Sequence, residues 1–174
     1  MAEPTETFLA HLKLREGEKS KVYLDTLDKP TVGVGHLLTD EEKKLYPVGT
    51  EVGEEVIKAW LKNDSTKAYN AAKTQLAEIN IDDQPLLEAL GSVNYQLGVN
   101  WRDKFPSAWT AMKEGDFTEA VKQIKTNTKG GKSAWLTQTP TRVEDFENAL
   151  TTYGKAQDTA FLKPDSGIVE SVVG

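Results

Sequence analysis

The stretch Leu14–Thr39 reads LREGEKSKVYLDTLDKPTVGVGHLLT, and its character changes every few residues. Just upstream, Phe8, Leu9, Leu12 and Leu14 recur at helical spacing, and Gly17 suits a left-handed cap closing that helix right after Glu16. The negative end of the helix dipole disfavours a second negative charge at Glu16. Partial burial acts in the same direction, so a proton on this carboxyl is favoured, which is what a general acid needs. Val22, Tyr23 and Leu24 form a short extended run, and the Asp-rich segment Asp25–Pro30 (DTLDKP) is turn chemistry, which places Asp25 at a strand end or in a loop. In TVGVGH, alternation predicts one strand with Thr31, Gly33 and Gly35 on one face and Val32, Val34 and His36 on the other. Glycines inside a strand mark a bulge or a place where a ligand or another backbone comes close, and a sugar chain is such a ligand.

Eight residues separate Glu16 from Asp25, and five separate Asp25 from Thr31. Spacing of this kind is weak by itself, so its surroundings must carry the reading. With NYQLG (Asn94–Gly98) and WLTQTPTR (Trp135–Arg142) further on, the lead-in and the glycine-rich segment resemble the phage-type lysozymes, glycoside hydrolases of bacterial viruses that cut peptidoglycan. The resemblance implies an α+β, lysozyme-like fold: a small β-containing N-terminal lobe joined by a long helix to an all-helical C-terminal lobe. The expected catalytic domain is 1–160, with lobes of about 14–60 and 1–13 plus 61–160, followed by a tail, 161–174, read as a loose or weakly docked terminus.

What the resemblance implies for single residues can be stated in turn. Glu16 protonates the glycosidic oxygen. Asp25 stays ionised and acts as base on the attacking water or stabilises the oxocarbenium-like transition state, and Thr31 helps hold that water, which gives inversion at the anomeric carbon. His36 pairs with Asp64 of the long helix in a structural role. Arg142 matches an arginine that reaches the catalytic Glu, where its charge opposes the dipole, and Thr139 belongs to the same supporting motif. Leu37, Tyr95, Gln96, Ala108 and Gln123 match sugar-contact positions. His11 is expected to be a partly exposed bystander, and Trp60, Trp101, Trp109 and Trp135 are read as core rather than as a sugar-stacking set. Two other classes stay open beside the hydrolase: an inactive wall-binding or structural module on the same fold, and a lytic transglycosylase, which needs only the acid.

Composition sets the outer bounds. At 174 residues and 38% hydrophobic the chain has material for one substantial core or two small lobes. The absence of Cys excludes disulfides and thiolate sites, the presence of only His11 and His36 disfavours a histidine-based metal centre, and no cofactor is expected. The start MAEPTETFLA lacks the basic and apolar parts of a signal peptide, and no run approaches the length of a membrane span, so a host-cytoplasmic product without membrane insertion is expected. A monomer acting on peptidoglycan, dependent on a holin or on a place in the virion to reach it, completes that expectation. The net charge of −6 disfavours nucleic acid as a partner, and departs from the basic character of many phage lysozymes.

The remaining elements are read from periodicity and punctuation. Thr39 with Glu42 forms a capping box for a short helix to about Leu45, ended by Pro47 and Gly49. One long helix runs from Glu54 to about Leu76. Shorter helices are expected over Pro85–Tyr95, Ser107–Lys113, Phe117–Thr126 and Thr141–Tyr153, the last with Thr141 as its N-cap and Glu144 closing the box. The tract Asn127–Ser133 (NTKGGKS) is read as a surface connection.

Overall fold

The structure is a computed structural model that describes residues 1–162. It is mostly helical, with one small antiparallel sheet near the N-terminus, and divides into two compact units, Met1–Lys104 and the residues from Phe105 on. No helix among the described residues is long and apolar enough to cross a membrane.

The first unit opens with α1 (Glu6–Glu16), whose N-cap Thr5 accepts the Phe8 N–H at 3.1 Å. Phe8 and Leu12 are fully buried, whereas Leu14 is 72% exposed, so the apolar stripe ends at Leu12. Gly17 closes the helix with φ 72°, its N–H donating to the Lys13 carbonyl at 2.9 Å; its ψ of −178° is extended, so the chain leaves directly into a strand instead of through a left-handed helical cap.

Strands β1 (Lys19–Leu24), β2 (Pro30–Gly33) and β3 (His36–Leu37) form a sheet in sequence order. The single strand expected over TVGVGH is therefore two strands joined at Val34 and Gly35. Gly33 and Gly35, each at φ 65°, supply the positive dihedrals of this tight reversal, which a period-two reading cannot distinguish from strand alternation. Behind the sheet, α2 (Asp40–Leu45) begins with the capping box: the Glu42 N–H reaches the Thr39 hydroxyl at 3.2 Å and the Thr39 N–H reaches Glu42 Oε1 at 2.8 Å.

The long helix α3 (Glu54–Glu78) serves two apolar clusters of this unit. One gathers Val22, Val32, Leu38, Val52 and Ile57, with Tyr46, Val56 and Trp60 packed on it; the other gathers Phe8, Leu12, Val34 and Tyr69, with Leu61, Leu87 and Tyr95 around them. Along α3 the contribution passes from one cluster to the other between Trp60 and Leu61. Helix α4 (Gln84–Leu97), capped by Asp83, crosses α1 closely enough that a Cβ on Gly91 would lie 2.9 Å from the Phe8 ring. Between α3 and α4 the buried amides of Gln75 and Asn94 bond each other reciprocally at 3.2 and 3.0 Å. Trp101 of α5 (Trp101–Lys104) donates its indole N–H to Gln75 Oε1 at 3.4 Å. Each buried polar group of this set is thereby paired with another, which is what makes such a network tolerable in an interior.

The second unit holds α6 (Pro106–Lys113), α7 (Phe117–Lys125), α8 (Ala134–Gln138) and α9 (Pro140–Leu162). Its interior includes Met112, Ile124, Trp135, Val143, Phe146 and Leu150. Between α7 and α8 the NTKGGKS tract is a tight turn: Thr126 bridges to Lys132, and the Asn127 side chain accepts the N–H groups of Lys129 and Gly131. Thr141 does not cap the last helix. It lies within α9, which starts at Pro140, and the carbonyl of Thr139 accepts from Arg142 and Val143. Proline's fixed φ and missing N–H suit the first helical position, which moves the start one residue earlier. Helix α9 runs on to Leu162, past the expected end at Tyr153; of the expected tail 161–174, residues 163–174 lie outside the described residues.

Candidate active site

Glu16 is the last residue of α1 and is partly buried. Backbone of the β2–β3 turn presses against its carboxyl: a Cβ built on Gly35 would stand 2.5 Å from Glu16 Oε2. Of the glycines where a close approach is expected, Gly35 thus meets Glu16, while a Cβ on Gly33 would meet Ile57 at 2.9 Å.

Asp25 follows β1 and organises the turn that leads to β2. Its Oδ1 accepts the N–H groups of Leu27 at 2.8 Å and Lys29 at 2.9 Å, while its own N–H donates to the Lys29 carbonyl at 2.9 Å and Asp28 takes a positive φ of 59°. An aspartate bonded in this way is fixed by its own loop. Thr31, only 5% exposed, donates its hydroxyl to the Lys29 carbonyl at 2.9 Å, so the same loop that holds Asp25 also orients Thr31.

Register places further side chains beside Thr31. It opposes Tyr23 on β1 and Leu37 on β3, and Val32 opposes His36. Directly opposed residues share a face of the sheet. One face therefore carries Tyr23, Thr31 and the half-exposed Leu37, and the other carries Val32 and His36.

His36 lies between two carboxylates: Nδ1 is 2.6 Å from Asp64 Oδ2 on α3, and Nε2 is 3.0 Å from Glu42 Oε1 on α2. Its ring stacks on Trp60, with centroids 4.3 Å apart and planes at 11°. Burial works against the charged ring, but the hydrogen bonds to Asp64 and Glu42 outweigh it, and the His36 pKa is raised above 6.5. Glu42 shows the converse: burial opposes its charge, while the Thr39 N–H and His36 favour it and lower its pKa below 4.5. With both ring nitrogens facing carboxylates, the protonated ring donates to both.

Tyr95, on α4, donates its hydroxyl to the Val34 carbonyl and so ties the glycine turn to the helix behind it. Gln96 beside it is partly buried. In the second unit, Arg142 is buried near the start of α9, Thr139 donates its hydroxyl to the Trp135 carbonyl at 3.3 Å, and Gln123 on α7 donates to Glu119 at 2.7 Å. Ala108 is buried on α6. Trp101 and Trp135 are buried, and Trp60 is spent on His36.

Sequence comparison decides the family, since the description "Phage lysozyme" matches residues 13–144. The chain belongs to the phage lysozyme family. It is 28% identical over 152 residues to Probable T4-type lysozyme 2 of Dictyostelium discoideum, covering 75% of this chain and 85% of that protein. Probable T4-type lysozyme 1 of the same organism matches at the same identity and coverage. The Pre-baseplate central spike protein Gp5 of Enterobacteria phage T4 is 27% identical over 158 residues, 80% of this chain but 26% of that longer protein.

For a chain of this family, the sequence reading missed three residues around the site. Tyr23 looks like a packing residue of a short strand, although the charges of Glu16 and Asp25 both reach its phenol. Gly35 was read as a ligand approach and not as the neighbour of Glu16. Glu42 was visible only as the third residue of a capping box, whereas its Oε1 serves both Thr39 and His36.

Proposed function

We propose that this chain hydrolyses the β-1,4 bond between N-acetylmuramic acid and N-acetylglucosamine in peptidoglycan. Glu16 is the general acid that protonates the glycosidic oxygen, Asp25 the base on the attacking water, and Thr31 the hydroxyl that holds this water, so the anomeric centre inverts. The observation that carries the reading is the Asp25 loop. One short turn fixes both the Asp25 carboxylate and the Thr31 hydroxyl through the Lys29 backbone, as a base and its water holder require. Leu37, Tyr95, Gln96 and Gln123 are assigned to sugar binding, with Thr139, Arg142, His36 and Asp64 in support. The working unit is 1–160 with lobes of about 14–60 and 1–13 plus 61–160, acting as a monomer.

Synthesis in the host cytoplasm followed by holin-dependent release fits a lytic role. One relative is named as a pre-baseplate central spike protein of a phage, which supports carriage in the virion as the second route. The test uses purified peptidoglycan, the parent protein and Glu16→Gln, with sugar ends identified by mass spectrometry. Hydrolysed reducing ends that fall at least about 100-fold in the variant are expected. Anhydro ends would move the chain to the transglycosylases, and no cleavage by the parent would leave a binding module. Proton NMR of the first-formed anomer checks inversion.

A further inference from the structure

Tyr23 has no part in the roles assigned above, yet three features place it on the side of the sheet that carries Thr31 and Asp25. It stands in register with Thr31, which is in register with Leu37, so these side chains form one row across the sheet. Its neighbour Val22 belongs to the apolar cluster under the opposite face, which leaves Tyr23 on the face away from that core. Asp25, two residues further, still pairs its N–H with the Lys29 carbonyl across the ladder, so the chain is extended there and Asp25 points to the side of Tyr23.

The phenol is partly buried, and burial first, then the charges of Glu16 and Asp25, raise its pKa above 10.0. The phenol is therefore neutral near neutral pH. One face of the ring is covered by the Lys19 ammonium, 4.2 Å from the centroid. An ionised carboxylate only accepts hydrogen bonds. Asp25 is thus no donor and the proton on Glu16 goes to the glycosidic oxygen, so a neutral phenol beside them supplies a donor for another sugar oxygen.

We propose that Tyr23 is a substrate-binding residue whose hydroxyl donates to an oxygen of the sugar held between Glu16 and Asp25. This rests on the hydrolase reading above. The test titrates soluble, uncross-linked peptidoglycan glycan strands into Glu16→Gln and into Glu16→Gln/Tyr23→Phe by calorimetry. Phe keeps the ring and its contact with Lys19, and matching thermal melts exclude a folding difference. Loss of one neutral hydrogen bond predicts a Kd about five-fold weaker in the double variant. In the active protein, Tyr23→Phe raises KM by more than it lowers kcat. Equal Kd values, or no binding by either variant, overturn the assignment. Failure of the parent to cleave the strands overturns the hydrolase reading instead, because the binding comparison needs no turnover.

Discussion

At Gly35 two constraints meet in one residue: a φ of 65° that side chains rarely adopt, and a Glu16 oxygen 2.5 Å from where a Cβ would be. Gly35→Ala should therefore lose about 1–2 kcal/mol to the left-handed backbone. It should also displace the carboxyl, and misplacement by about 1 Å costs on the order of 100-fold in rate. Gly49 separates the two effects, since it has φ 93° but nothing within 4 Å of a built Cβ. Gly49→Ala should pay only the backbone cost. Chemical denaturation and kcat/KM on solubilised peptidoglycan check the pair: both variants lose similar stability, and only Gly35→Ala loses activity. Equal activity loss in both would show that Gly35 matters for the turn and not for the acid.

Between elements, His36 is the joint with the most direct ties, because one ring on β3 bonds Glu42 on α2 and Asp64 on α3. Its raised pKa means that its contribution is fully present below about 6.5 and is lost as the pH rises through the folded value. Glu42, lowered below 4.5, contributes above that value and loses its contribution as the pH falls through its folded pKa. His36→Gln should thus cost about 2 kcal/mol between roughly pH 4.5 and 6.5, and less on either side. Thermal melts of parent and variant across pH 3–9 would show it, and a pH-independent difference would reduce His36 to a packing residue. Thr39→Ala removes the cap of α2 and should cost about 1 kcal/mol in the same melts. This joint was half legible in the sequence, where resemblance suggested Asp64 but Glu42 read only as a cap. Helices of several turns were legible, α3 above all, because apolar residues repeat over enough length. Four-residue α5 and five-residue α8 were not, since neither completes a second turn of that pattern. The β2–β3 hairpin was read as one strand because alternating glycines fit both a strand face and a reversal needing positive φ. Asp25 and Thr31 were legible because an Asp-rich turn before a strand encodes its own hydrogen bonds, while the register that brings Tyr23 beside Thr31 depends on a bulge between Lys19 and Tyr23.

Across the whole molecule, charge sets how the chain meets its substrate. With a formal charge of −6, it approaches a polymer rich in stem-peptide carboxylates and, in many walls, anionic chains. Encounter between like-charged partners is slowed by repulsion that extends over the Debye length, about 30 Å at 0.01 M salt and about 8 Å at 0.15 M. Local attraction from Lys19, Lys21 and Lys29 around β1 and its turn acts at contact range and is screened by the same salt, so the two effects oppose each other. The net charge dominates at distance, where encounter is decided, so kcat/KM on dye-released peptidoglycan should rise about two-fold from 0.01 to 0.15 M NaCl, with kcat nearly constant. A basic relative of the same fold should show the reverse slope under the same conditions. Falling kcat/KM over that range would mean that the lysines of the small sheet govern encounter despite the acidic whole, and Lys21→Gln with Lys29→Gln should then flatten the dependence.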